Sequence, residues 1–169
     1  MMNYKLYKNV LDQEEFTKLK ETMSNSFVAW FYNPSTIPDK DDHFMFTHHI
    51  YRNGQVTSDL YNNILPLLMF CALKTEKINL LRVKANLYTN QNKNVYHAKH
   101  TDFVDLDNYK TCVYNFTTCD GGTVLFKNDK KVVVESIENS MLIFDGNIEH
   151  QGFTQTNTQI RLLLNIDFN

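Results

Sequence analysis

The sequence predicts a mainly β, α+β fold in which helices come first and an antiparallel β sandwich or barrel follows. Apolar residues recur at helical spacing in two stretches before residue 80. After it, six short strand-like runs are separated by turn residues. A third observation bounds the size: 169 residues, 43% hydrophobic and 13% aromatic, suffice for one sizeable core and argue against disorder. The chain is read as one domain over 1–169, with residues 1–79 a helical and extended N-terminal support and 80–169 the β core.

Each element follows from its local pattern. In 9–23, NVLDQEEFTKLKETM, Asp12 is placed to cap a helix whose Leu11, Phe16, Leu19 and Met23 share a face. Residues 27–54 read as two extended stretches around a polar loop holding Pro34 and Pro38, with aromatic and β-branched residues at the ends. Trp30, Phe31 and Tyr32 read mostly as core, and His43, His48 and His49 as plain strand surface. A second helix is expected over 58–75, capped by Ser58 and kinked or split at Pro66. From residue 80 the runs LLRVKANLY, KTCVYNFTT, GGTVLFKN, KKVVVES, NSMLIFDG and QIRLLLNIDF are each strand-like, separated by Gly, Asn and Asp. Gly121 and Gly122 read as a turn requirement. No helix start follows them, so they are not a phosphate cradle.

Charge and composition remove several function classes. A formal net charge of −2 and a pI near 6.3 create no basic field for phosphate backbones, so no nucleic-acid partner is expected. No apolar run approaches the roughly 20 residues that span a bilayer, so no membrane is expected. The start lacks the apolar core of a signal peptide. Cys71, Cys112 and Cys119 are odd in number and lack metal-type spacing. They read as reduced, small buried hydrophobes, and a cytoplasmic location is the simplest reading. Oligomeric state is not legible.

The chemistry concentrates in YHAKHTDF, 96–103. With 6 His and 12 Asp in 169 positions, chance gives about 0.4 His-x-Asp pairs (6 × 12 / 169), so the short match means little alone. If 97–103 is extended, His100 and Asp102 share a face about 6.6 Å apart, and His97 points away from it. His150 opens a turn, HQGFT, before the last strand, and Arg161 follows eleven residues later at the start of that strand. Two imidazoles and one carboxylate form a facial triad suited to non-heme Fe(II) with coordination sites left open. A guanidinium behind it can grip a second carboxylate bidentately.

Taken together these residues resemble the Fe(II)/2-oxoglutarate-dependent dioxygenases, in particular the prolyl-hydroxylase-like branch and its short phage-encoded members. The resemblance covers roughly 80–169. It rests on HTD at 100–102, His150, Arg161, the stretch CVYNFTTCDGGTVLF at 112–126 and SMLIFDG at 140–146. It implies a double-stranded β-helix, or jelly roll, with the N-terminal helices packed on it. It further implies Fe(II) on His100, Asp102 and His150, with 2-oxoglutarate and dioxygen as cosubstrates and ascorbate as a further candidate cofactor. The distal carboxylate of 2-oxoglutarate falls to Arg161, with Tyr88, Thr111 and Asn115 as additional contacts. Asn115 departs from the tyrosine found there in some prolyl hydroxylases, so Thr111 or Tyr114 could substitute. By strand alternation Asn86, Val113, Leu163 and Asn165 line the pocket, and Lys84 shares the face of Asn86 and Tyr88.

The implied activity is hydroxylation of an unactivated carbon. The implied partner is a peptide, protein or small-molecule substrate, a prolyl residue by first preference. The alternatives are another amino acid or small metabolite, or a cupin-like metal-binding protein without oxygenase activity. The implied location is a host cytoplasm if the chain is phage-encoded.

Overall fold

The computed structural model describes residues 2–37, 40–77 and 79–169. Among these residues, eleven strands and two helices follow one another. They are β1 (Tyr4–Lys8), α1 (Gln13–Met23), β2 (Phe31–Asn33), β3 (Met45–Arg52), β4 (Gln55–Val56), α2 (Leu65–Thr75), β5 (Leu80–Thr89), β6 (Lys110–Asn115), β7 (Cys119–Lys127), β8 (Lys130–Ser136), β9 (Ser140–Asp145), β10 (Glu149–Phe153) and β11 (Ile160–Phe168). A 3-10 turn at Asp59–Ile64 leads into α2.

Both helices form for the reasons their sequences give. The Asp12 carboxylate accepts from the Glu15 backbone N–H at 2.9 Å, a cap that contributes about 1 kcal/mol. Phe16, Leu19 and Met23 are the buried stripe of α1. The Ser58 hydroxyl accepts from the Leu60 N–H at 3.2 Å. Pro66 lies at the start of α2 and splits 58–75 into a 3-10 turn and an α-helix, because proline suits a first helical turn and not an interior.

The strands form two antiparallel sheets. The large one runs β1-β9-β6-β11-β5-β3-β2, with β4 added to β3; the small one runs β10-β7-β8. Alternation along β5, β6 and β11 divides the large sheet's faces between two cores. Val83, Ala85, Cys112, Tyr114, Leu162, Leu164 and Ile166 pack with Phe16, Met23, Leu67 and Cys71 of the helices. On the opposite face Tyr88, Val113 and Leu163 pack with Leu125 and Val134 of the small sheet and with Leu142 and Phe144 of β9. Each fully buried large side chain contributes about 1.5–3 kcal/mol. This is the jelly roll, mainly β, with helices on the outer face of its large sheet.

Several sequence expectations change. The stretch from His150 is strand β10, paired to β7 with His150 opposite Leu125, and not a turn. Residues 97–103 are irregular: single bridges at Tyr96–Phe153 and His100–His150 tie this segment down. Gly121 and Gly122 lie inside β7 at a register shift. A Cβ on Gly122 would sit 2.4 Å from the Val134 carbonyl oxygen and 3.0 Å from the Phe153 ring, so the pair answers to close approach and not to a turn. Phe31 and Tyr32 are each 62% exposed and are not core. β1, too polar in its pattern to announce itself, pairs with β9. Pro38 lies outside the described residues.

Candidate active site

The facing surfaces of the two sheets enclose a cavity of about 50 Å³. Its floor is a ladder of cross-strand pairs on β5 and β11, Tyr88 opposite Arg161, Asn86 opposite Leu163 and Lys84 opposite Asn165; the next rung, Arg82 opposite Asp167, lies behind Asp102. Strand alternation aims all eight to one side. The small sheet supplies Thr123, His150 and Gly152, and the irregular segment supplies His97, His100 and Asp102.

At one end of the ladder three side chains converge. The ligand atoms of His100, Asp102 and His150 lie within 4.8 Å of one another. The bridge between residues 100 and 150, with N–H to O distances of 2.9 and 2.8 Å, brings the imidazoles to 4.4 Å between centroids. Each Nδ1 lies against a backbone carbonyl, Ala98 at 3.1 Å and Ile148 at 3.2 Å. A carbonyl only accepts, so Nδ1 carries the proton and Nε2 is left with its lone pair. The Nε2 of His150 is 3.4 Å from Asp102 Oδ2.

Asp102 is held from behind. Its Oδ1 accepts from Arg82, which also pairs with Asp167 at 2.8 Å. Asn165 and Thr111 approach Oδ2, each at 3.4 Å. Burial works to raise the Asp102 carboxyl, but His150, Arg82 and His100 outweigh it and hold it well below the ordinary range. Burial, then His150, pushes His100 down to about 4. The site therefore presents a carboxylate and a neutral imidazole at neutral pH, the forms a metal ion needs.

The other end of the ladder holds Arg161, 1% exposed. Its Nη1 donates to the carbonyls of Gly122 at 2.9 Å and Phe153 at 3.3 Å, and its Nη2 to Thr123 Oγ1 at 3.4 Å. Its Nε has no partner. No acidic side chain pairs with it among the described residues. A buried guanidinium without an anion is costly, and burial lowers its pKa. Gly152 keeps this end open: a Cβ there would lie 3.3 Å from His97 Nδ1, 3.7 Å from the Tyr88 hydroxyl and 3.8 Å from Arg161 Nη1. Buried atoms without partners, Asn86 Oδ1, His97 Nε2 and Asn165 Oδ1, belong to residues that line the same cavity. A divalent cation at the triad and a dicarboxylate reaching Arg161 fit this set of donors and acceptors.

The structure thus brings His100, Asp102, His150, Arg161, Tyr88, Asn86, Val113, Leu163 and Asn165 to one cavity. It does not bring Thr111 and Asn115 to the wall. Thr111 donates to Asp167 at 2.9 Å, and Asn115 is engaged by Ser136 and Ser140. The cavity side chain that bonds Arg161 is Thr123; Thr123, Gly152 and Arg82 were not singled out from the sequence. Two-residue alternation from Tyr88 reaches Arg82, and from His150 reaches Gly152, once β10 is taken as a strand. His97, expected to point away, stacks on Tyr88 at 4.9 Å in the cavity, because the segment that carries it is not extended. His48 bonds Ala29 and Ser58 at the sheet surface.

No protein-family model and no curated protein sequence matches this chain. Solved structures do. A 2OG-Fe(II) oxygenase family oxidoreductase from Burkholderia pseudomallei superposes with a TM-score of 0.76 at 14% identity, covering 98% of this chain and 84% of that one. A prolyl hydroxylase from Trichoplax adhaerens, in complex with a hypoxia inducible factor peptide, gives 0.73 at 12% identity, over 98% and 82% of the chains. The epimerase SnoN of nogalamycin biosynthesis, in complex with Fe3+, alpha ketoglutarate and nogalamycin RO, gives 0.67 at 13% identity, over 99% and 78%. The chain has the jelly-roll fold of the 2OG-Fe(II) oxygenases, prolyl hydroxylases among them.

Proposed function

We propose that this chain is an Fe(II)- and 2-oxoglutarate-dependent dioxygenase that hydroxylates an unactivated carbon. The observation that carries the reading is Arg161, a buried guanidinium without a protein anion, on the same cavity wall as a converging His-Asp-His triad. A cupin-like protein that only binds metal has no use for that cation.

His100, Asp102 and His150 would hold the iron, with Nδ1 of each imidazole anchored to backbone and Asp102 fixed by Arg82. Arg161 and Thr123 would bind the distal carboxylate of 2-oxoglutarate, and Tyr88 and Gly152 would shape the channel between. Met45, Val113 and Leu163 limit water on the apolar side. When bound, iron and 2-oxoglutarate supply the oxygen activation, with succinate and carbon dioxide as co-products. A prolyl residue in a peptide or protein is the first substrate class to test, supported by the sequence resemblance and by the fold shared with a peptide-bound prolyl hydroxylase.

The test is succinate release with Fe(II), ascorbate and 2-oxoglutarate, which proceeds slowly without the prime substrate. The wild-type protein is expected to make succinate, and the doubly substituted His100→Ala, Asp102→Ala protein to make none. Equal turnover by the two proteins refutes the site.

A further inference from the structure

Lys84 occupies the third rung of the ladder, facing Asn165 on one side and His49 on the other, and it lines the cavity beside the triad. Four residues of strand separate its rung from the Tyr88–Arg161 rung, about 14 Å at the strand rise. It therefore serves a different ligand group from Arg161. Among the described residues no acidic side chain pairs with it. Asp102 is within its field, but one oxygen of that carboxylate is taken by Arg82 and the other faces His150.

The charges of the loaded site, as read above, leave this lysine over. Arg82 is held by Asp102 and Asp167, and burial raises the Asp167 carboxyl, so Arg82 and Asp167 together leave no spare negative charge. Two positive charges on iron and one on Arg161 equal one negative charge on Asp102 and two on 2-oxoglutarate. Lys84 alone has no counterpart. Burial, reinforced by Arg82, lowers it to about 8, which still leaves it mostly charged at neutral pH. Beside it, Asn86 Oδ1 and Asn165 Oδ1 are buried acceptors without donors. The Asn165 assignment is fixed because its Nδ2 donates to Asp102.

We infer that Lys84 binds a carboxylate of the primary substrate, with Asn86 and Asn165 accepting from N–H groups of the same molecule. The substrate class is an α-carboxylate with a nearby N–H, as in a free amino acid or the C-terminal residue of a peptide. This rests on the oxygenase reading and specifies its substrate. A residue in the middle of a chain, blocked on both sides, lacks that carboxylate.

The test uses full-length protein loaded with redox-silent Mn(II) and 2-oxoglutarate, with both loadings first confirmed by calorimetry. Acetate is the probe and acetamide its uncharged control; paramagnetic relaxation of the methyl protons reports approach to the metal. In the wild type acetate is expected to relax more than acetamide. Lys84→Met is expected to lose the difference, its acetate affinity falling roughly 10- to 100-fold as a charged partner is removed, while its 2-oxoglutarate affinity holds. Lys84→Gln, closer in polarity, gives the same reading if the Met variant does not fold. L-proline or glycyl-L-alanine displacing acetate identifies a free amino acid or a peptide C-terminus as the source. Equal relaxation of acetate and acetamide overturns the inference. So does an Lys84→Met protein that keeps the acetate effect, or one that loses 2-oxoglutarate instead. Failure to load Mn(II) and 2-oxoglutarate at all refutes the oxygenase reading itself.

Discussion

Arg161 shows how one residue's burial can state a requirement. Its two visible bonds go to carbonyls and one longer bond to a hydroxyl, all neutral groups. Arg161→Lys keeps the charge but replaces a planar fork by a point donor. Its 2-oxoglutarate dissociation constant, measured by calorimetry on Mn(II)-loaded protein, is expected to rise about tenfold or more; an unchanged constant counts against the pairing. Gly152→Val places branched carbon where Tyr88, His97 and Arg161 leave only 3.3–3.8 Å. It is expected to abolish 2-oxoglutarate binding while Mn(II) still binds; retained cosubstrate affinity would show the channel runs elsewhere. That His100, Asp102, His150 and Arg161 meet at one cavity was legible in the sequence because their order and spacing are a pattern in one dimension. Thr123 and Gly152 were not, because their relevance depends on which strand lies opposite, and that is decided by register.

Among the elements, the turn before β9 carries more than its length suggests. Asn139 sits at φ 53°, where asparagine is tolerated better than most residues. Its Oδ1 accepts from the Leu11 N–H at 3.0 Å and the Tyr114 hydroxyl at 2.9 Å, and its Nδ2 donates to the Leu11 carbonyl at 2.8 Å. One side chain thereby fastens the start of α1 to β6 and β9. Asn139→Ala leaves these buried groups unpaired and is expected to cost about 2–4 kcal/mol, lowering Tm by roughly 5–15 °C. A thermal melt within 1–2 °C of wild type, outside the roughly 2–4 °C that each kcal/mol moves, would remove this role. The strongly apolar strands β5, β6, β9 and β11 could be read directly, and so could the split at Pro66. β1 and β10 could not: YKLYK and EHQGF lack apolar alternation, and their pairing is imposed by β9 and β7. The condition that 97–103 is extended fails in the structure, where the segment is irregular. Its backbone groups are committed to tertiary partners such as Asp41, whose carboxylate accepts from the Ala98 N–H at 2.9 Å, and no local pattern announces that.

The whole molecule places its helices on one face of the large sheet and its polar cavity on the other, so charge is buried on one side only. Burial lowers His97 and His49 to about 4, as it does His100. Below about pH 6.5 the unfolded chain takes up protons at these three sites that the folded protein refuses. Asp167 opposes them: burial and Asp102 raise it to about 7, so the folded state binds one proton more there. Three groups outweigh one, and the metal-free protein is expected to lose stability as pH falls from 6.5 towards 4. Tm measured at pH 5 should lie below that at pH 7, and His97→Asn should flatten the slope. A flat wild-type profile would contradict it. Fold class was open to sequence reasoning because strand texture and helix spacing are local; the division between an apolar and a polar face of one sheet emerged only with the pairing.

The β5–β11 ladder also works as a yardstick. Arg161 and Lys84 stand on it two rungs apart, and one face can lengthen or shorten only in double steps of about 7 Å. A slip of register by one residue would turn a whole strand's face away from the cavity. The spacing between these two cations is therefore set by the backbone of the sheet and not by any loop.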